Sequence, residues 1–159
     1  MTTGPVTHFP LPEAAASVDD NQGAGGSAAT CGGLAVLTLP AQGQLVAGIR
    51  RWTARLLELW NVGPEDRDSI VLVVDELAVN AVEHGNAELS VMISLETASK
   101  LRIEVADFGA PAAPEEGVPE ERDIDECGRG LQIVGLLSEW VERRTTSRGT
   151  RVTVGYHIT

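Results

Sequence analysis

The sequence is short of the residues that would mark a secreted, metal-bound or membrane-spanning protein. Its 159 residues include two cysteines, Cys31 and Cys127, far apart and outside any metal-ligand spacing. They support neither a disulfide framework nor a zinc ribbon. The three histidines, His8, His84 and His157, are equally scattered and make no zinc site. No run of about 18 apolar residues occurs, which excludes a membrane-spanning helix. The first thirty residues have neither a basic head nor an apolar core, so they do not read as a secretory signal, and the cytoplasm is the expected compartment. Positive charge is scarce too: 12 Lys and Arg stand against 23 Asp and Glu, a net charge of −11. That balance argues against bare DNA, RNA or an anionic membrane as partner, because each needs a basic footprint. Two readings of the acidity stay open, a surface kept soluble by charge and a surface that meets basic partners.

What the chain does have is apolar periodicity. Hydrophobic residues make up 43% of it and cluster in periodic runs, and the length suits one domain with a real core. Residues 1–32 are rich in Gly, Ala, Ser, Pro and Asp and read as a mobile tail that buries too little surface to offset its ordering entropy. The domain is expected over 33–159. LAVLTLP (34–40) reads as a strand, and Leu45, Ile49, Trp52, Leu56 and Leu59 fall at helical spacing behind it. Gly63-Pro64-Glu65-Asp66 then gives a break followed by proline and acids, which suit a helix's first turn. This second helix should run to about His84, stop at Gly85 and lie centrally, because SIVLVV is apolar on nearly every side. ELSVMISLE and LRIEVADFG alternate strictly and are joined by TASK, an antiparallel hairpin. Residues 110–127, rich in Pro and Glu, read as a long mobile loop. A Gly-rich turn then opens a helix at GRGLQIVGLLSEW, and strands near VERRTT and TRVTVGYHI meet at Ser147-Arg148-Gly149. The order β-α-α-β-β-loop-α-β-β predicts an α+β fold. It is a two-layer sandwich with helices on one face of a mixed, mostly antiparallel sheet.

Four features carry candidate chemistry. Glu76, Asn80 and His84 recur every fourth residue along the central helix and form one stripe. A solvent-facing polar stripe is the plain reading. The neighbours Val73, Val74, Leu77, Ala78, Val79, Ala81 and Val82 leave little room for it, and a buried carboxylate is costly unless partnered. Glutamate suits a base, and an asparagine oxygen suits a magnesium ligand that adds no charge beside phosphates. Asp107, counted by twos from Leu101 through Ile103 and Val105, falls on the core face at a strand's end. There it either begins a turn or forms the floor of a pocket that accepts from a donor such as an adenine amino group. Gly128-Arg129-Gly130-Leu131 opens a helix with two glycines, which fits a tight turn or a phosphate held by backbone N–H groups. In the second case 110–127 would be a lid over a nucleotide, and Arg129 either reaches a phosphate or is solvated. Thr150 lies in phase with Val152 and Val154, as ordinary strand packing or as a small hydroxyl that helps hold a base through water.

The E-x-x-x-N helix with a following A-x-x-H-G, the D-x-G turn and the later G-x-G-L helix start resemble the histidine-kinase-like ATPases of the Bergerat fold. Among these, the chain is most similar to the anti-sigma factor serine/threonine kinases in the actinobacterial style, over about residues 34–157. The resemblance implies Glu76 as general base and Asn80 as the residue coordinating magnesium between the phosphates. It implies Asp107 on the adenine amino group, helped by Gly109 and, through water, Thr150. Gly128 and Gly130 would wrap the phosphates, with His84 on the phosphate side. ATP and magnesium are the implied cofactors, and the implied partners are a sigma factor, an anti-anti-sigma antagonist and a second copy in a homodimer. Two positions depart from the pattern. Pro111 replaces the second glycine of D-x-G-x-G, and Glu126 stands where sporulation-type members carry an arginine, with Arg129 or Arg122 the candidate substitutes. From another class, the alternative is a module that binds nucleotide, or keeps only the fold, and sequesters a partner without transfer. A stand-alone ATPase is the third option.

Overall fold

Pro64 opens the helix around which the rest of the protein is arranged. In the computed structural model, residues 27–31, 33–83, 87–108 and 129–159 are described. Strand β1 covers Ser27–Cys31 and β2 covers Leu34–Pro40. After a 3-10 turn at Gly43–Leu45 come α1 (Val46–Leu59) and α2 (Pro64–Glu83). Strands β3 (Glu88–Thr97) and β4 (Lys100–Phe108) follow, then α3 (Arg129–Leu137), β5 (Trp140–Thr146) and β6 (Gly149–His157). Proline at the first helical position of α2 costs no intrahelical hydrogen bond, and Glu65 and Asp66 behind it oppose the helix's positive end. The Arg67 N–H to Gly63 carbonyl bond, 2.9 Å, closes that first turn.

The six strands form one sheet in the order β1-β2-β3-β4-β6-β5. Every pairing is antiparallel, so the sheet is not mixed as the sequence suggested. The reason lies in the connections. Helices α1 and α2 carry the chain out and back, so β3 starts where β2 ended, with Pro40 opposite Glu88. The Ala41 N–H to Ala87 carbonyl bond, 3.1 Å, joins the two ends. Strand β1 uses Ser27–Cys31, inside the segment that composition marks as tail. SAATC carries no large apolar residue, and an edge strand can be held through its backbone, so alternation gives no sign of it. Residues 1–26 lie outside the described residues, as do Gly85 and the 110–127 loop.

All the helices lie on one face, giving a two-layer α+β sandwich. The core between the layers joins Ile49, Trp52, Leu56 and Leu57 of α1 and Ile70, Val73, Val74 and Leu77 of α2 to the sheet residues Leu37, Val91, Ile93, Ile103 and Val154. Helix α2 lies between α1 and α3 and contacts β3, β4 and β6. Leu59 does not join the α1 stripe and is 65% exposed. Leu56 and Leu57 occupy the last buried positions of that stripe, and the helix stops just beyond, with Asn61 in the left-handed region at φ 56°. The Arg50–Asp75 ion pair, 3.0 Å, ties α1 to α2 on the outside. No helix among the described residues is long and apolar enough to cross a membrane.

Asp66 anchors the chain's end to the start of α2. Its Oδ1 accepts from the Tyr156 hydroxyl at 3.0 Å, and its Oδ2 accepts from the Thr159 N–H at 3.0 Å and the Thr159 hydroxyl at 2.9 Å. Burial alone would raise the carboxyl's pKa. The Thr159 and Tyr156 hydrogen bonds, with the charge of His157, outweigh it and hold the group below its ordinary value. A depressed folded-state value means that the unfolded chain takes up the proton first as pH falls. The contribution is therefore complete above about pH 4 and is lost as pH falls through the folded-state value. Asp66→Asn is expected to cost about 1.5–3 kcal/mol in urea denaturation at pH 7. The gap from wild type should narrow in strong acid; a constant gap would contradict this assignment.

Candidate functional site

Asn80, Asp107 and Thr150, three of the residues selected from the sequence, come together where the end of β4, the start of β6 and the last turns of α2 meet. Asp107 is 3% exposed and sits opposite Leu89, in phase with the buried Leu101, Ile103 and Val105. It therefore belongs to the core face and not to a turn. The Thr150 N–H donates to Asp107 Oδ1 at 2.7 Å. The approach depends on Gly149, whose φ is 138°. A Cβ there would stand 2.7 Å from Asp107 Oδ1 and 2.9 Å from its carbonyl carbon. Glycine is thus required by both backbone angle and space, and the β5–β6 turn closes directly against the carboxylate. A carboxylate oxygen can accept from more than one donor, which suits this position to contact with a ligand amino group as well as with the backbone. The Thr150 hydroxyl lies 3.4 Å from that of Thr145 across the hairpin.

Asn80, Asp107 and Thr150 line one cleft, together with Leu77, Ala81, Val105, Val152 and Arg143. The cleft holds about 10 Å³, the scale of a single water. Glu76, one turn earlier on α2, faces α3 instead. A Cβ on Gly130 would collide with Glu76 Oε2, so the second glycine of the Gly-Arg-Gly motif makes room for this carboxylate. The first turn of α3, whose N–H groups have no partner within the helix, thus lies next to Glu76. Glu76 and Asn80 are both half-buried, so the stripe is more open than its apolar neighbours suggested.

Arg129 begins α3 and is exposed, and it lines neither cavity of this end of the sheet. His84, Gly109 and Gly128 lie outside the described residues, as do Pro111, Arg122 and Glu126. Sequence reasoning missed Arg143. The signal was there: counted by twos from Val141, Arg143 falls on the helix side of β5, and the pairing puts it opposite Val152. It adds a cationic side chain to a cleft that otherwise offers an amide and a carboxylate.

Among the described residues, no group of three or more His, Cys, Asp or Glu side chains is placed to hold a metal. A magnesium ion would therefore need a phosphate-bearing ligand and water, with Asn80 as a protein oxygen donor. Magnesium is ordinarily bound in this way beside nucleotides, so the residues present fit it.

Residues 39–156 match the histidine kinase-like ATPase domain family. No curated protein is similar enough to be matched. Among solved structures, the chain is similar to the histidine kinase domain from Erythrobacter litoralis EL346 blue-light activated histidine kinase, at 22% identity and a TM-score of 0.45. The similarity covers 76% of this chain and 62% of that one. The family match takes in both layers of the sandwich, from Leu39 on β2 to Tyr156 on β6, and this chain belongs to the histidine kinase-like ATPase domain family.

Proposed function

We propose that the protein is a Mg-ATP-dependent serine kinase that acts as an anti-sigma factor. In this reading it binds and inhibits a sigma factor and phosphorylates an anti-anti-sigma antagonist, so that exchange of partners switches transcription. One observation carries the proposal. A potential base and a potential metal ligand, Glu76 and Asn80, stand one turn apart on α2, with the buried carboxylate of Asp107 facing the second of them across the cleft.

Asp107 accepts from the adenine amino group, and the Thr150 N–H and Gly149 hold its carboxylate in place for that contact. Asn80 supplies the oxygen that holds magnesium, and the metal, when bound, offsets charge on the phosphates. Glu76 takes the proton from the acceptor serine as its oxygen forms a bond to the γ-phosphorus. The bond to the β–γ bridging oxygen breaks, and ADP leaves. The opening turn of α3 donates N–H groups to the phosphate beside Glu76.

Incubation with γ-labelled ATP and the antagonist protein tests the proposal. Label on an antagonist serine is expected, and ATP binding without label transfer would reject the kinase. Pro111 and Glu126 favour a second reading, a nucleotide-holding module that sequesters its partner without transfer, and that outcome would select it. Steady ATP hydrolysis with no protein acceptor would instead identify a stand-alone ATPase.

A further inference from the structure

The β5–β6 hairpin is a basic island on an acidic protein. Arg143, Arg144, Arg148 and Arg151 supply four of the chain's 12 basic residues, and Glu142 is the single acid between residue 140 and the end. Arg144, Arg148 and Arg151 line a cavity of about 450 Å³ together with Ala106, Phe108 and Thr146. Arg151 pairs with Ala106 on one side and Arg144 on the other. All three of these residues point away from the helices, because their neighbours Val105 and Val152 face the core. The cavity is thus on the opposite face of the sheet from the Asn80 cleft, with Asp107 and Thr150 lining both.

We propose that this cavity and the free edge of β5 form a docking site for an extended, carboxylate-rich segment of a partner protein. Charge selects the occupant. Arg144 holds Glu142 at 2.7 Å and Arg151 holds Glu104 at 3.2 Å, whereas Arg148 makes no ion pair among the described residues. Three guanidinium groups beside two carboxylates leave a modest positive charge. That is too little for a nucleic-acid backbone, which needs a broad basic footprint, but it suits single carboxylates met one at a time. The edge selects the shape. All seven residues of β5 are exposed, and among the described residues the strand is paired on one side only, with β6. A segment added along that edge would hydrogen-bond through its backbone and turn every second side chain toward the arginines. Acids at alternate positions are the chemistry that fits. The half-exposed Phe108 ring, 39% accessible, gives the cavity an apolar wall for the segment's aliphatic stems.

The test needs no nucleotide, so its failure is separable from failure of the kinase reading. A fluorescein-labelled peptide alternating Glu and Thr is titrated with the full chain and followed by anisotropy. Saturable binding is expected, weakened at least about tenfold in Arg144→Ala/Arg148→Ala, the equivalent of one lost charge-assisted hydrogen bond. Binding should be unchanged in Arg51→Ala/Arg55→Ala, which removes two exposed arginines from α1. No binding, or equal weakening in both double variants, would overturn the proposal. Tighter binding of single-stranded DNA than of the peptide would overturn the choice of carboxylate. Self-association of the wild type that the hairpin substitutions abolish would name a second copy as the occupant instead.

Discussion

Glu76→Ala is expected to lower the rate of phosphate transfer to the antagonist by about 10²–10⁴-fold, the range that general-base catalysis supplies. ATP affinity should stay close to wild type, since the proton is taken only as the acceptor oxygen attacks and the ground state loses little. The geometry favours a clean result. Glu76 is half-buried, and its carboxylate lies against Gly130, so truncation opens space beside α3 without uncovering the core. The check is a pair of measurements, single-turnover label transfer and nucleotide binding, on the same preparation. Loss of both to the same degree would assign Glu76 to binding, and unchanged transfer would remove it from the chemistry.

Asp107→Asn should have the opposite profile. An asparagine still offers one oxygen, which can accept the Thr150 N–H now bound at 2.7 Å, so the hairpin is expected to keep its place. Its other arm becomes an NH₂ donor facing the donor of the adenine amino group. A pair of facing donors in a buried site costs the lost bond and leaves polar groups unpaired, about 2–4 kcal/mol together, or roughly 30- to 1000-fold in Kd. Isothermal titration with ATP and magnesium reads this directly, and circular dichroism before titration shows whether the fold is intact. Equal affinity in variant and wild type would count against the adenine role of Asp107.

Much of this could be read from the chain because several residues are constrained by more than one influence. Asp107 shares a period of two with three buried residues, and the pleat admits no other face for it. Pro64 and the acids after it fix the start of α2, and Pro40 ends β2 at the expected residue. The misreadings share a different cause. Leu59 has helical spacing with the α1 stripe, but the helix ends before its neighbours can cover it. Strand β1 is paired through its backbone, which leaves no apolar pattern. Strand directions follow from where a helix pair returns the chain, a property of the assembled fold. Arg143 is legible only by counting by twos from Val141, and its place opposite Val152 comes from the register of the assembled hairpin.

At the end of the sheet beside α2, Asp107 is expected to accept from the amino group of an adenine base. A competition between ATP and GTP on the wild-type protein, with magnesium present, tests this most directly. Adenine presents an amino donor where guanine presents a carbonyl acceptor, so a carboxylate there attracts one and repels the other. ATP is predicted to bind at least about a hundredfold more tightly than GTP, in line with the penalty for opposing like hydrogen-bonding groups. Equal affinity for the two nucleotides, or no affinity for ATP, would contradict the account.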